Sequence, residues 1–384
     1  MSMASVIGRS FGHRLGLRRR KLPLAAPPAT LCLLRLSALG DCYNLVPAIH
    51  TLQREWPETR ITWVIGKAES ALLGDLPGIE FVVYDKRDPS RNAKLKRQLG
   101  GRRFDVLLHA HPSLRANLAS RHIHADLRLG SEPSRARDGQ PWFVDVLSRP
   151  ARGSHMVDGY FAQLETLGIT RRHMDWSVPI PEAARKEARQ LLPPGPPTLL
   201  ISPSASDLRR NWPPERYAEV ADYAIERHGL RVVLIGGPSD NERRLGEAIA
   251  SAMRGDALDL IGRTSIKGLL AVMDRATLLV TPDSGPAHFA NTVNLPVIAL
   301  HAISPSRRTG PYCSLEHAVD YYEAAARDYL GKSPDQMRWH TQVRRDGVAN
   351  LIPVDDVNER IDRILGESPT VASERGQPAG QGHL

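Results

Sequence analysis

Four stretches place charged, hydroxyl or glycine residues just where an apolar run ends, and the first two could hold an anionic ligand. In TLLVTPDSGPAHFANTVNLPVIAL (277–300) a strand ends at Thr281 and Asp283-Ser284-Gly285-Pro286 opens a helix. Proline suits a first helical turn, and glycine lets a ligand approach the backbone closely. The free N–H groups and the positive dipole end of such a turn suit a diphosphate. His288 lies on the same turn; an Asp N-cap with a core helix behind it would use the same residues. In LLISPSASDLRRNWPPERYAEV (199–220) a strand ends at Ser202, followed by Ser204, Ser206, Arg209 and Arg210. Hydroxyls followed by guanidinium groups form a phosphate clamp, because arginine pairs bidentately with phosphate oxygens; a solvated loop with an N-cap serine is the other reading. LIGGPSDNERRL (234–245) puts Gly236 and Gly237 at a strand end, where they either touch a ribose or base or make a tight turn. The fourth stretch is LCLLRLSALGDCYNLVPAIHTLQREW (31–56). Its strand-to-helix turn, SALGD, carries one glycine and then Asp41, where a dinucleotide-binding turn carries several glycines.

Other patterns exclude chemistry. No GxGxxG follows a strand, and there is no Walker A motif and no Asp-x-Asp. HAHP (109–112) and RHIHAD (121–126) each hold two histidines two residues apart, but without HExxH or a carboxylate at ligand spacing no metal site is expected. His109 and His111 are instead expected to line a cleft or to pack.

These residues must be held by elements, and the pattern names them. Runs at 31–36, 60–65, 80–84 and 104–109, then at 198–202, 231–235, 258–261, 277–281 and 296–300, read as strands. Several are too apolar to be edges, which marks parallel sheets with helices on both faces. Leu45, Ile49, Leu52 and Trp56 share one helix face, and Val354, Val357, Ile361 and Ile364 another. PPGPP (193–197) fits neither helix nor central strand and reads as a hinge. The expected architecture is α/β: two Rossmann-like domains at 30–190 and 191–350, a closing helix at 351–366 and a disordered tail at 367–384. Ligands bind such sheets outside the C-terminal strand ends.

The 384 residues suit two domains, and 41% hydrophobic with 24% charged residues is ordinary for a globular protein. A net charge of +9 favours an acidic partner or simply solubility. Residues 1–29 contain RRRK at 18–21 and no acidic residue; without an apolar h-region they read as a basic, disordered extension rather than a secretory signal. No recognition module accompanies the scattered basic residues, so no nucleic-acid partner is expected. Cys32, Cys42 and Cys313 form no CxxC pair, which fits a reducing compartment.

Four segments, in order, resemble glycosyltransferase family 9, the ADP-heptose:lipopolysaccharide heptosyltransferases: LLRLSALGDCYNLVPAIHTLQREWP, RRNWPPERYAEVAD, IGRTSIKGLLAVMDRATLLVTPDSGPAHFAN and PVDDVNERIDRIL. The resemblance spans about residues 30–366 and implies the GT-B fold of two facing Rossmann-like domains, with the last helix crossing back onto the first. It implies Asp41 as the general base that deprotonates the acceptor hydroxyl. Donor binding then falls to Ser204, Ser206, Arg210, Asp283, Ser284, Gly285 and His288, with Gly236 and Gly237 as ribose or base contacts. Ser37, His109, His111 and Arg115 are the acceptor candidates. Arg210 stands where the family has lysine, HAHPSLRANLAS replaces the usual D-L-Q/H-G segment, and residues 311–350 form a longer connection. No cofactor or metal is implied. The enzyme would invert the anomeric centre and act as a cytoplasmic monomer that visits the inner membrane peripherally. Alternatives are another nucleotide-sugar transferase, a GT-B-like nucleotide-sugar epimerase, or a binding module on the same fold; retention of Asp41, Arg210 and Asp283 argues against the last.

Overall fold

A computed structural model describes residues 21–333 and 336–366. The first half contains β1 (Thr30–Leu34), α1 (Leu39–Tyr43), α2 (Val46–Glu55), β2 (Arg60–Gly66), α3 (Lys67–Leu73), β3 (Ile79–Tyr84), α4 (Arg91–Leu99), β4 (Arg103–His109), α5 (Leu114–Ser120), β5 (His124–Gly130), β6 (Val146–Leu147) and α6 (Met156–Leu167). The second half contains α7 (Glu182–Leu191), β7 (Thr198–Ile201), α8 (Pro214–His228), β8 (Arg231–Leu234), α9 (Asp240–Ala252), β9 (Ala257–Asp259), α10 (Ile266–Met273), β10 (Leu278–Pro282), α11 (Gly285–Phe289), β11 (Val297–His301), α12 (Ser306–Thr309), β12 (Val319–Asp320), α13 (Tyr322–Leu330) and α14 (Val354–Gly366).

The halves repeat one topology. The first sheet runs β3-β2-β1-β4-β5-β6 and the second β12-β11-β10-β7-β8-β9, every pairing parallel. This is the doubly wound order, with its switch point beside the first strand of each half. β7, β10 and β11 are buried along their whole length, as central parallel strands covered on both faces must be. Two sheets of this kind give the expected GT-B architecture.

Several expectations about the elements change. The first helix is two helices: α1 ends at Tyr43, and α2 restarts with Pro47 in its first turn. RHIHAD, a histidine pair in the sequence, opens β5. The Pro193–Pro197 stretch is not the crossing between halves, because the preceding α7 packs on α10 of the second half. There Arg275 Nε donates to Leu192 O (2.8 Å), and Arg185 pairs with Asp274. The chain crosses earlier, within residues 168–181, after running beside α1 and α2, where Tyr43 Oη donates to Trp176 O and His173 N–H to Thr51 Oγ1.

The last helix also differs from expectation. Val357, Ile361 and Ile364 of α14 are buried in the second domain's core with Leu199, Tyr217 and Val232. Tyr223 and His228 of α8 bond Asp362. The apolar face of α14 thus closes the second domain and does not return to the first. Of the expected extension, residues 21–29 lie along the first domain: Leu24 N–H donates to Leu167 O, and Pro28 O accepts from Thr59 Oγ1. Residues 1–20 and 367–384 lie outside the described residues.

The two domains meet through an aromatic chain. Tyr43 stacks on Trp176 (5.6 Å, 17°) and meets Phe289 edge-on (5.6 Å). Trp176 then touches Tyr312, which contacts His155. Tyr43 Oη lies 2.7 Å from Thr292 Oγ1 across the interface.

Candidate active site

Asp41 is the third residue of α1, at the C-terminal end of β1. Its Oδ2 accepts from Arg35 Nη2 and from Ala38 N–H (3.2 Å). Its Oδ1 has no hydrogen-bond partner among the described residues, and the side chain is 30% exposed. Arg35 is buried, donates to Ala110 O (2.8 Å) and sits over the Tyr160 ring. Tyr160 Oη in turn donates to Asp41 O (3.2 Å). The carboxylate is therefore gripped on one oxygen and open on the other, which is the geometry a proton acceptor needs.

From the facing domain, α11 brings His288 against this turn. A Cβ built on Gly40 would stand 2.5 Å from His288 Cδ2. Asn44 Nδ2 lies 3.5 Å from His288 Nδ1. Burial holds the His288 imidazole below its ordinary pKa, against the upward pull of Asp283 and Asp41. The structure thus brings the turns of Asp41 and His288, predicted for opposite substrates, into contact where the two domains meet.

The second wall is built from the C-terminal strand ends. Arg210 Nη1 donates to Asp283 O (2.7 Å) and lies 3.5 Å from Asp283 Oδ2. Burial raises the Asp283 pKa, but Arg210, His301 and the Ser304 hydroxyl outweigh it and hold the carboxyl below its ordinary value. Asp283 Oδ2 accepts from Ser304 Oγ and Thr309 Oγ1, so its carboxylate is committed to the protein and fixes Arg210. Ser284 precedes α11 as its N-cap residue but does not cap it with its side chain, whose hydroxyl lies 2.9 Å from Thr281 Oγ1. Gly285 is close-packed, since a Cβ there would lie 2.9 Å from Phe289 Cζ. Arg209 is occupied by a two-point pair with Asp207. Ser204 is half-buried and Ser206 exposed on the loop after β7.

Other predicted positions fare differently. Gly237 N–H donates to Glu242 Oε1 (2.8 Å), and Glu242 also accepts from Ser239 Oγ. Gly236 and Gly237 thus close the start of α9, and the Gly237 donor is already used. His109 is fully buried behind the strand end, its carbonyl accepting from Gln140 and Gln163. Burial lowers its pKa to about 3, so it packs and does not line the cleft. His111 Nδ1 accepts from Leu36 N–H (3.1 Å), tying the loop after β4 to the loop after β1. Burial, with Arg35 close by, lowers the His111 pKa to about 2. Ser37 and Arg115 do meet at the cleft edge, 3.5 Å apart.

Some buried polar atoms near this contact have no partner. Asn44 Oδ1, both amide atoms of Asn291, His301 Nε2 and Arg210 Nε are buried without a partner. Buried polar groups are rarely left unpaired, and those of Asn44 beside His288 and of Arg210 beside Asp283 fit a polar ligand that completes them.

Residues 92–334 match the model of glycosyltransferase family 9 (heptosyltransferase). The chain belongs to glycosyltransferase family 9. Members of family 9 transfer glycosyl groups, so this chain is a glycosyltransferase. It is 34% identical over 331 residues to "Lipopolysaccharide core heptosyltransferase OpsX" of Haemophilus influenzae, covering 86% of this chain and 95% of that one. Its fold matches a family 9 glycosyl transferase from Veillonella parvula, with TM-score 0.75 and 24% identity over 88% of this chain and 98% of that chain. It also matches the E. coli heptosyltransferase WaaC with ADP-2-deoxy-2-fluoro heptose, with TM-score 0.58 and 17% identity over 75% of this chain and 95% of that chain.

Sequence reasoning on this family 9 chain missed Arg35, Asn44, Asn291 and His301. Arg35 had a signal: a lone arginine inside the apolar run LCLLRL needs a buried partner. His301 at the end of an apolar run had the same one. Asn44 and Asn291 sit in helical patterns with nothing to separate them from surface amides.

Proposed function

We propose that this protein transfers a heptose from ADP-heptose to a lipopolysaccharide core acceptor by a single displacement that inverts the anomeric centre. The observation that carries this reading is the contact between the turn that carries Asp41 and α11, with Arg210 held at Asp283 behind it. The heptose and the core acceptor are taken from the relative described as a lipopolysaccharide core heptosyltransferase. The donor follows from the heptosyltransferase whose structure holds an ADP-heptose analogue.

In this mechanism Asp41 Oδ1 takes the proton of the acceptor hydroxyl as that oxygen attacks the anomeric carbon. The bond to the diphosphate breaks, and its charge is met by Arg210, the Ser206 and Ser204 hydroxyls, Ser284 and the N–H groups of the first turn of α11. Gly285 lets the Phe289 ring pack under that turn, and the His288 ring lies between base and leaving group. Asp283 holds Arg210 in place. Ser37 and Arg115 sit at the acceptor edge. No covalent intermediate forms, so no second carboxylate is needed. No helix among the described residues is long and apolar enough to cross a membrane; we place the enzyme at the cytoplasmic face of the inner membrane, acting peripherally on a membrane-held glycolipid as a monomer.

The test is Asp41→Asn. ADP-heptose binding by calorimetry should be unchanged, while turnover with a defined core acceptor should fall by roughly 10²–10⁴. Transfer near the wild-type rate would sink the assignment of the base.

A further inference from the structure

Trp142 is 83% exposed, the most of any large hydrophobic side chain among the described residues. It does not sit on a loose loop. Two residues earlier, Gln140 is fully buried. Its amide donates to His109 O (2.9 Å), and its Oε1 accepts from Ser131 N–H. Asp138 and Gly139 are both left-handed, with φ of 51° and 75°. Asp138 also clamps α5, accepting from Leu114 N–H on its carboxylate and from Asn117 Nδ2 on its carbonyl. The chain accepts an uncommon backbone conformation here and staples it from inside, and the result holds an indole out in water.

The neighbours of Trp142 make a patch. α5 exposes Leu114 (57%) and Leu118 (42%) one turn apart. Arg115, Arg121 and Arg137 are exposed around them, and the Arg121 guanidinium lies 5.5 Å over the Phe143 ring. Of the three carboxylates of the 131–147 loop, Glu132 is paired with Arg135, while Asp138 and Asp145 accept backbone N–H bonds and keep their charge, so the three arginines outnumber two free carboxylates. The patch is therefore apolar at its centre, with a rim whose arginines exceed its carboxylates. It also adjoins the acceptor edge, because Arg115 reaches Ser37 in the loop that carries Asp41.

We propose that this patch docks the acceptor domain on an anionic bilayer surface. Trp142, Leu114 and Leu118 enter the interfacial layer, where tryptophan partitions favourably, and the arginines face the headgroups. The inference rests on the reading that the acceptor is a membrane-held glycolipid, and it adds which face meets the membrane. Docked this way, the Ser37–Arg115 edge of the cleft faces the lipid from which the acceptor rises.

Flotation with vesicles, without donor or acceptor, tests it. Wild-type protein should float with phosphatidylcholine:phosphatidylglycerol (70:30) vesicles and much less with pure phosphatidylcholine, and salt should weaken the binding. Trp142→Ser should lower the partition coefficient about tenfold; Arg121→Gln and Arg137→Gln should each lower it about fivefold. A Leu114→Ser/Leu118→Ser/Trp142→Ser variant, checked for an unchanged melting temperature, should lose flotation. The same variant should keep wild-type turnover on a deacylated, water-soluble acceptor and lose it on a vesicle-embedded one. Flotation of this variant equal to wild type, or no flotation of wild type, would overturn the docking face. Flotation without any heptosyl transfer would leave the docking face standing and remove the proposed reaction, so the two failures are distinguishable.

Discussion

Gly40 has no side chain because His288 leaves no room for one. Its φ does not lie in the left-handed region, so a tight turn is not what calls for glycine. A methyl group there would collide with the ring at 2.5 Å. Gly40→Ala should push the two walls apart, cost about 1–3 kcal/mol in stability by overpacking and lower kcat at least several-fold. Urea titration together with steady-state kinetics would show both, and a variant with wild-type stability and kcat would show the contact to be slack. A second residue-scale consequence concerns acid. Burial depresses the pKa of His109 to about 3, of His111 to about 2 and of His155 to about 4, below the value of about 6.5 these side chains regain on unfolding. The unfolded chain therefore binds more protons than the folded one below pH 6.5. Stability is full above that pH and falls as pH drops through the window down to the folded values. Each histidine should cost about 1.4 kcal/mol between pH 7.5 and 5.5, so about 4 kcal/mol for the three. Urea unfolding at the two pH values would check this; equal midpoints would mean that the rings take protons without unfolding.

At the scale of elements, α14 shows what periodicity can and cannot say. Val354, Val357, Ile361 and Ile364 fix the apolar face of the helix, and that face is real. Nothing in it says which domain the face meets, because both expose apolar helix surfaces of the same kind. Here it fills the second domain's core beside α8. Ile361→Ala should therefore cost about 2–5 kcal/mol, read as a lower urea midpoint, while leaving the Tyr43–Trp176 interface intact by near-ultraviolet dichroism. An unchanged midpoint would show that the helix is not part of the core. The same logic explains the strands. β1, β2, β4, β7, β8, β10 and β11 were legible because a central parallel strand is apolar on both faces. β5 was not, because HADLRLG carries Arg128, whose guanidinium leaves the sheet to bond Ser120 O and Phe143 O. The Pro193–Pro197 stretch was legible as a break but not as the wrong side of a domain boundary, since only the packing of α7 on α10 decides that. Of the site, the strand-end loops with Asp41, Arg210 and Asp283–His288 were visible as local patterns. The buried roles of His109 and His111, and the orphaned amides of Asn44 and Asn291, depend on contacts between distant segments.

At the scale of the whole molecule, the long 311–350 connection reaches back across the cleft. Trp339 Nε1 donates to Ser154 O (2.8 Å), and its ring lies under Arg135 (4.4 Å) on one domain and near Arg308 (5.6 Å) on the other. Arg308 also donates to the carbonyls of Trp339 and Thr341, and its neighbour Thr309 bonds Asp283. Trp339→Ala should shift the closed-to-open balance by roughly tenfold, from the loss of cation–π contact. A larger radius of gyration by X-ray scattering and a lower kcat/KM would register it; unchanged scattering with unchanged kcat/KM would deny the contact any part in closure.

Among the described residues the backbone passes between the two domains once, near residues 178–181, since α14 stays with the second domain. The two halves are thus associating partners that happen to share a tether. A short tether sets an effective concentration of roughly millimolar, so the Tyr43–Phe289 and Trp339 contacts need only be individually weak to hold the two halves together. Chains 21–177 and 178–366 made separately would lose that concentration, and their mutual dissociation constant would report directly on how firmly the cleft is held shut.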